Sequence, residues 1–497
     1  MKKLIIIGGG LSGLSAGVYA RLNGFDTTII EKNKEVGGLC TTWYKDGITI
    51  DGCIHWLTGS SKGNMMPIYK ELDLLKGVKI LKPDFFYKYY YGDSVIEIKR
   101  DLDDFKKELL QYAETDNDKE LVKQFIKMVK KLKNMPFHSN KPIDTMKKTE
   151  IVGYIKSIAG IALTWNKTMH ISLFEFSEYF NSEILKHFFI SFMPKVYSLT
   201  YFAGLVAQFT NDNADTIYSI SSDLAMNVKN RFLELGGNII TGEEITKLNI
   251  YDDKIISIES KNKVYDADYF INASPLPYFY NNLLDKKYHD SYIDYVFKDV
   301  YNYPLISTVY VAMKIDKDYP NEVDHFSLIF DNDGIVVGRS HNETIHYRAY
   351  PYNKNNDGST TLIALVDLHV EDYDVFKNAK DKNTYQDLKM SIAKKVLNIY
   401  VNKFKDMEGH ISIVDVATPL TFEKFTNTYK GAYLSNLATP LNERRTFDIK
   451  DKRVNNLYHA GQWVTQIGGI PRALSNGKFA VDELVYQINN TQRKSED

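Results

Sequence analysis

The chain has 497 residues with 62 basic and 63 acidic side chains, so no global field points to a nucleic-acid partner. Two cysteines, Cys40 and Cys53, cannot build a disulfide framework or a multi-cysteine metal site, and the eleven histidines are scattered without an HExxH motif, so no metal is expected. The length suggests two or three domains, no apolar run approaches the roughly 20 residues of a spanning helix, and Met1-Lys2-Lys3 with four apolar residues is too short for a signal peptide; a cytoplasmic protein is expected.

In chain order, Lys3 to Ile7 read as a short apolar strand, and Gly8-Gly9-Gly10-Leu11-Ser12-Gly13 follow it directly, ahead of a helix from Leu14 to Asn23. A GxGxxG turn between a strand and a helix is the setting in which this motif binds a dinucleotide. Gly8 allows the tight turn, Gly10 the close approach of a pyrophosphate, and Gly13 the packing of the helix whose N-terminus faces the phosphates. Leu11 and Ser12 belong to the same cofactor-binding turn. A second strand, Thr27 to Ile30, ends at Glu31, eighteen residues beyond Gly13, where a carboxylate accepts hydrogen bonds from ribose hydroxyls. Lys32 follows in the same set. The motif alone does not separate NAD from FAD.

Gly37-Gly38 come six residues after Glu31, and Gly38-Leu39-Cys40-Thr41-Thr42-Trp43 lead through a turn at Lys45-Asp46-Gly47 into Ile48-Thr49-Ile50-Asp51-Gly52. Cys40 and Cys53 read as small residues in this packed turn. His55 and Trp56 follow, and His55 is a candidate proton carrier because imidazole titrates near neutrality.

Residues 63–214 read as mainly helical. The segment Lys119 to Lys133 has six lysines against the single acid Glu120, with Val122, Phe125, Ile126, Val129 and Leu132 at helical spacing. Such a helix can lie on an anionic membrane surface, or simply turn a lysine face to water. The apolar Ile151 to Leu163 and the aromatic-rich Phe174 to Phe209 suit a tunnel, a membrane-dipping lid or plain core. Asp223 to Leu235 read as a helix capped by Ser222 and stopped by Gly236-Gly237. Asn238 to Ile240, Glu244 to Leu248, Lys254 to Glu259 and Tyr265 to Ala273 follow as strands, with a turn at Asp252-Asp253. Residues 275–440 mix strands such as Thr360 to Val366 with helices such as Tyr385 to Phe404. Finally, Asn456 to Gly461 read as a strand ending in glycine, followed by Gln462-Trp463, Gly468-Gly469-Ile470-Pro471 and a helix from Arg472 to Leu484 that Pro471 can open.

The Gly37 to Gly52 stretch and the Asn456 to Pro471 stretch together resemble the flavoprotein superfamily of phytoene desaturases, carotenoid isomerases, retinol saturases and, more distantly, amine oxidases. The resemblance implies an α/β fold: a Rossmann-like FAD-binding domain of the glutathione reductase type, with a discontinuous substrate domain and a helical lid. It implies an FAD domain from residues 1–62, 215–274 and 441–490, a helical lid or membrane-surface region at 63–214, and a mixed substrate-binding domain at 275–440. Gly37, Gly38 and Leu39 would then wrap the FAD, the backbone near Ile245 would meet the adenine, and Gly461, Gln462, Gly469 and Ile470 would close the flavin site. The family often carries a Pro-x-Gly-Gly before the Asp223 helix, where this chain has Tyr218 to Ser222.

The activity so implied is addition or removal of hydrogen across a carbon–carbon double bond in a long apolar molecule such as a carotenoid, retinoid or lipid. A non-redox polyene isomerase and an amine oxidase are the alternatives. Arg472 is a second catalytic candidate, placed to stabilise an anionic reduced flavin. No second GxGxxG unit provides for NADPH, so a quinone, dioxygen or a protein is expected as the electron partner.

Overall fold

The computed structural model describes residues 1–53, 55–136, 139–319, 326–351, 353–442 and 447–496. Lys3–Ile7 is buried from Leu4 onward on both faces, as a central strand of a parallel sheet must be. It pairs in parallel with Asp26–Glu31 on one side and Tyr269–Asn272 on the other; Asn238–Thr241 and Leu457–His459 complete the five strands. This doubly wound order puts a crevice at the carboxyl end of the first strand, where Gly8 begins.

The helix after the glycine turn runs Leu11–Leu22, so Leu11, Ser12 and Gly13 already form its first turn rather than preceding it. It lies between two other helices and needs glycine against each. At Gly17 a Cβ would come within 2.9 Å of Ile29 and of Phe232 on the helix Ser221–Glu234. At Gly477 of the helix Ile470–Glu496 a Cβ would stand 2.3 Å from Ser12 O. The two ends of the chain are thus packed together at the crevice.

A seven-stranded sheet forms the second layer, in the order Ile411–Ala417, Ile306–Ile315, Thr360–His369, Ser340–Ala349, Phe326–Val337, Phe85–Tyr91 and Ser94–Lys99. The last two strands come from the stretch read as mainly helical, which therefore also extends the sheet. Alternation divides its side chains between two faces. Val309, Val311, Ala364, Val366, Ile345 and Tyr347 pack on the helices Tyr373–Asp381 and Tyr385–Lys403. The opposite face, with Tyr310, Ile363, Leu365 and Arg348, turns toward the hairpin of Thr42–Lys45 and Ile48–Asp51 and toward the helical insert.

The insert packs Asp116–Leu132 against Leu173–Ser177, Glu183–Ser191 and Leu199–Phe209. Val122, Phe125, Val129 and Leu132 are fully buried beside Phe176, Phe188, Phe189 and Phe202, so the Phe174 to Phe209 stretch is largely core. The helix is held at its start by a capping box between Thr115 and Asp118. Among the described residues no helix is long and apolar enough to cross a membrane.

Candidate active site

The glycine turn leaves room where a phosphate needs it. Gly8 has φ +104°, and a Cβ on Gly13 would stand 2.0 Å from Gly8 O, so neither position admits a side chain. Gly10 differs: a Cβ there meets nothing nearer than Gly38 Cα at 3.9 Å. The backbone of Gly37 bridges to Gly10 and its N–H donates to Gly9 O at 2.9 Å, which brings the second glycine pair alongside the first. Leu11–Leu22 presents its N-terminus to this opening, and Ser12 Oγ is buried with no hydrogen-bond partner among the described residues. Open space, unpaired N–H groups and an orphaned hydroxyl fit a dinucleotide pyrophosphate.

Glu31 is buried at the end of its strand, its Oε2 accepting from Gly9 N at 2.7 Å and its Oε1 from Asn33 N at 2.8 Å. A Cβ on Gly9 would sit 3.0 Å from Glu31 Cβ, which explains the glycine between Gly8 and Gly10. Oε1 also accepts from Asn33 Nδ2 at 2.9 Å, whereas Oε2 has one donor and keeps capacity for another, as a ribose hydroxyl provides. The Lys32 ammonium points elsewhere, donating to Lys424 O at 2.9 Å and to Asn427, and burial lowers its pKa. Ile245 is buried at the start of the hairpin beyond Glu243, whose N–H donates to Glu31 O at 3.0 Å.

Leu457–His459 runs parallel to the first strand, so Gly461 emerges at the same edge as Gly8. Gly461 has φ +110° and nothing within 4 Å of an added Cβ. Gln462 braces the segment: its Oε1 accepts from Gly469 N at 3.0 Å and its Nε2 donates to Tyr433 O at 3.1 Å. Asn476 Nδ2 donates to Gly461 O at 2.8 Å. Ile470 opens the last helix and Arg472, partly accessible with its Nε buried, lies in its first turn.

Asp51 ties three remote segments together. It accepts from Ser221 N at 2.6 Å, Ser221 Oγ at 2.5 Å and Cys53 N at 3.0 Å, and its carbonyl accepts from the Tyr310 hydroxyl. Ser222 is therefore not the helix cap expected from its position. Ile220 caps Ser221–Glu234, and Ser221 gives both its donors to Asp51, a demand that only the folded chain creates. The Cys40 thiol donates to Ser221 O at 3.2 Å, and hydrogen bonding with Cys53 and burial hold it well above the usual thiol range.

His55 follows this clamp. Arg348, almost fully buried, donates to His55 O and lies over the Tyr350 ring at 5.2 Å. Burial first, then the Arg348 charge, then His346 push the His55 pKa well below the usual range, so its ring is neutral at physiological pH. Burial pushes His346 down to about 4 and Asp367 up to about 7. His55, His346, Asp367 and Tyr433 are all dominated by loss of water, yet each keeps part of its surface accessible. These four groups are thus deep in the protein without being fully closed off.

Sequence reasoning did not reach Arg348, His346, Asp367 or Tyr433. A signal was present for Asp367, the one acid among the apolar and hydroxyl side chains of Thr360–His369. For His346 and Arg348 the only sign was their alternation in a strand that folds inward.

The flavin-containing amine oxidoreductase family matches residues 11–485. The chain belongs to that family. It is a flavin oxidoreductase, and FAD is its cofactor. Among curated relatives, the 4,4′-diaponeurosporene oxygenase of Staphylococcus haemolyticus is 23% identical, with 97% of each chain covered. A 4,4′-diapophytoene desaturase of Staphylococcus aureus is 23% identical over 98% of this chain and 99% of its own. Solved structures share the fold. An oxidoreductase from Methanosarcina mazei gives a TM-score of 0.60 at 16% identity, covering 97% of this chain and 100% of that one. A putrescine oxidase bound to putrescine gives 0.58 at 14% identity, covering 97% and 99%.

Proposed function

We propose that the enzyme adds or removes hydrogen across carbon–carbon double bonds of a long apolar polyene of the carotenoid type, drawn from a membrane surface. The observation that carries this reading is the aromatic wall beside His55. Trp56 meets Phe86 at 5.1 Å and Phe192 at 5.9 Å between ring centroids, and Tyr433, Leu434 and Ile467 extend the apolar lining toward the closing segment. The names of the two staphylococcal relatives support the same substrate class.

In this reading residues 1–62, 215–274 and 441–490 bind FAD, 63–214 form the lid with 85–99 joining the large sheet, and 275–440 complete the substrate wall. Gly8, Gly10, Leu11, Ser12 and Gly13 hold the pyrophosphate, Glu31 the ribose, and the backbones of Lys32 and Ile245 the adenosine half. Gly37, Gly38 and Leu39 wrap the centre, and Gly461, Gln462, Gly469 and Ile470 close on the ring. Bound FAD supplies two-electron chemistry. The chain excludes water with its aromatic wall and holds the main chain of the neutral His55 through Arg348; Arg472, at a helix N-terminus, adds positive charge beside the flavin ring. The electron partner is a quinone, dioxygen or a protein.

The membrane contact falls to Lys148–Thr168. Val152, Ile155 and Leu163 are 51%, 55% and 75% exposed, while only Ile161 and Thr164 of this helix are buried. Lys147, Lys148, Lys156 and Lys167 surround them, as on helices that lie in an anionic interface.

The test is anaerobic incubation of FAD-loaded protein with polyene, retinoid, fatty-acid and amine panels, followed by mass spectrometry. A polyene product differing by a pair of hydrogens is expected. Conversion of amines alone, or an isomer of unchanged mass, would overturn the reading.

A further inference from the structure

Asp367 lies on the face of Thr360–His369 that looks toward the flavin-closing segment, two residues from Leu365 and four from Ile363 on the same face. His346 pairs with Leu365 across the strands and is therefore its diagonal neighbour. Tyr433 OH donates to Asp367 Oδ1 at 3.2 Å. Its Oδ2 has no hydrogen-bond partner among the described residues, and the residue keeps part of its surface accessible. The main chain is fixed independently: Asn342 Nδ2 donates to Asp367 O at 2.9 Å. Tyr433 is in turn anchored to the closing segment, because its carbonyl accepts from Gln462, which also holds Gly469 N.

We propose that Asp367 is the group that exchanges a proton with the bound hydrocarbon, and that Tyr433 positions it at the wall of the site. The proposal rests on the carbon–carbon reading above. In the oxidative direction one carbon gives up a hydrogen with its electron pair to the flavin, the oxidant of the established activity. The neighbouring carbon gives up a proton to the Asp367 carboxylate, and the electron pair left behind becomes the new π bond. In the reductive direction the same carboxyl donates the proton.

The electrostatics suit this carboxyl better than His55. Groups facing Asp367 are Tyr433, Tyr197 from the turn before Leu199–Phe209, and His346 on the next strand; among the described residues no lysine or arginine pairs with it. Burial raises its pKa to about 7 and the Tyr433 hydrogen bond opposes that rise. It is therefore divided between acid and carboxylate near neutral pH, as a proton-transfer group should be. His346 and His55, both lowered, are neutral there and add no cation.

The experiment combines pH–rate profiles with infrared difference spectra of the FAD-loaded protein and of Asp367→Asn, Asp367→Glu and Tyr433→Phe. For the wild type, oxidation of the polyene should rise with pH through about 7 because it needs the carboxylate; reduction should fall through the same range because it needs the acid. Asp367→Asn should lose roughly 100- to 10,000-fold in rate and the inflection with it. Asp367→Glu should keep an inflection, and Tyr433→Phe should move it to higher pH. A protonated-carboxyl band should grow as pH falls through about 7 and be missing from Asp367→Asn. An unchanged rate and profile in Asp367→Asn, or a band that survives it, would overturn the proposal. If the wild type converts no polyene while the band titrates and depends on Asp367, the titrating carboxyl stands and the polyene reading falls.

Discussion

Two neighbouring helices of the insert, Asp116–Leu132 and Lys148–Thr168, both carry apolar residues among lysines, and the structure uses them in opposite ways. The first sends Val122, Phe125, Ile126, Val129 and Leu132 into the aromatic core. Its lysines remain outside, several in ion pairs: Lys119 with Asp116 at 3.0 Å and Lys130 with Asp103 at 3.2 Å. It has no apolar stripe left for a bilayer. The second buries little and exposes Val152, Ile155 and Leu163. Periodicity reports that a helix has an apolar face; it does not report whether the protein itself covers that face.

The largest effect should come from the core of the first helix. Phe125→Ala should cost about 3–5 kcal/mol in chemical denaturation, whereas Ile155→Ala on the second helix should stay within about 0.5 kcal/mol. Equal costs would mean that both helices are structural. Next, the pair Ile155→Lys and Leu163→Lys should lower flotation with anionic liposomes by at least about tenfold, since each removes an apolar side chain from the interface. The smallest effect should be that of changing Lys123, Lys127, Lys130 and Lys131 to Gln, a few-fold loss of flotation that vanishes at high salt. Flotation abolished by the glutamines and untouched by the Ile155 and Leu163 changes would reverse the comparison.

The same boundary between local and long-range information divides the rest of the molecule. The glycine turn, Glu31 and the Lys45-Asp46-Gly47 hairpin turn were legible because each is a short-range demand: a backbone at positive φ, or a carboxylate at a strand end. The doubly wound fold was legible for the same reason, as alternating strands and helices punctuated by glycine. Ser222 was misread as the helix cap because the bond that fixes this helix start, Ser221 to Asp51, spans 170 residues. Phe85–Tyr91 was missed as sheet because its partner strand Phe326–Val337 is also remote in sequence, and Ser94–Lys99 joins that sheet only by pairing with Phe85–Tyr91. Asp367 and Tyr433 acquire their meaning only when a strand and a loop meet beside Gln462.

The most direct measurement is anaerobic mixing of FAD-loaded protein with polyene-bearing vesicles, followed at the flavin absorbance. Bleaching of oxidised flavin, or recolouring of reduced flavin, by the polyene and not by a diamine is the result expected here. A flavin that answers the diamine and ignores the polyene, or purified protein that carries no flavin, would contradict the account.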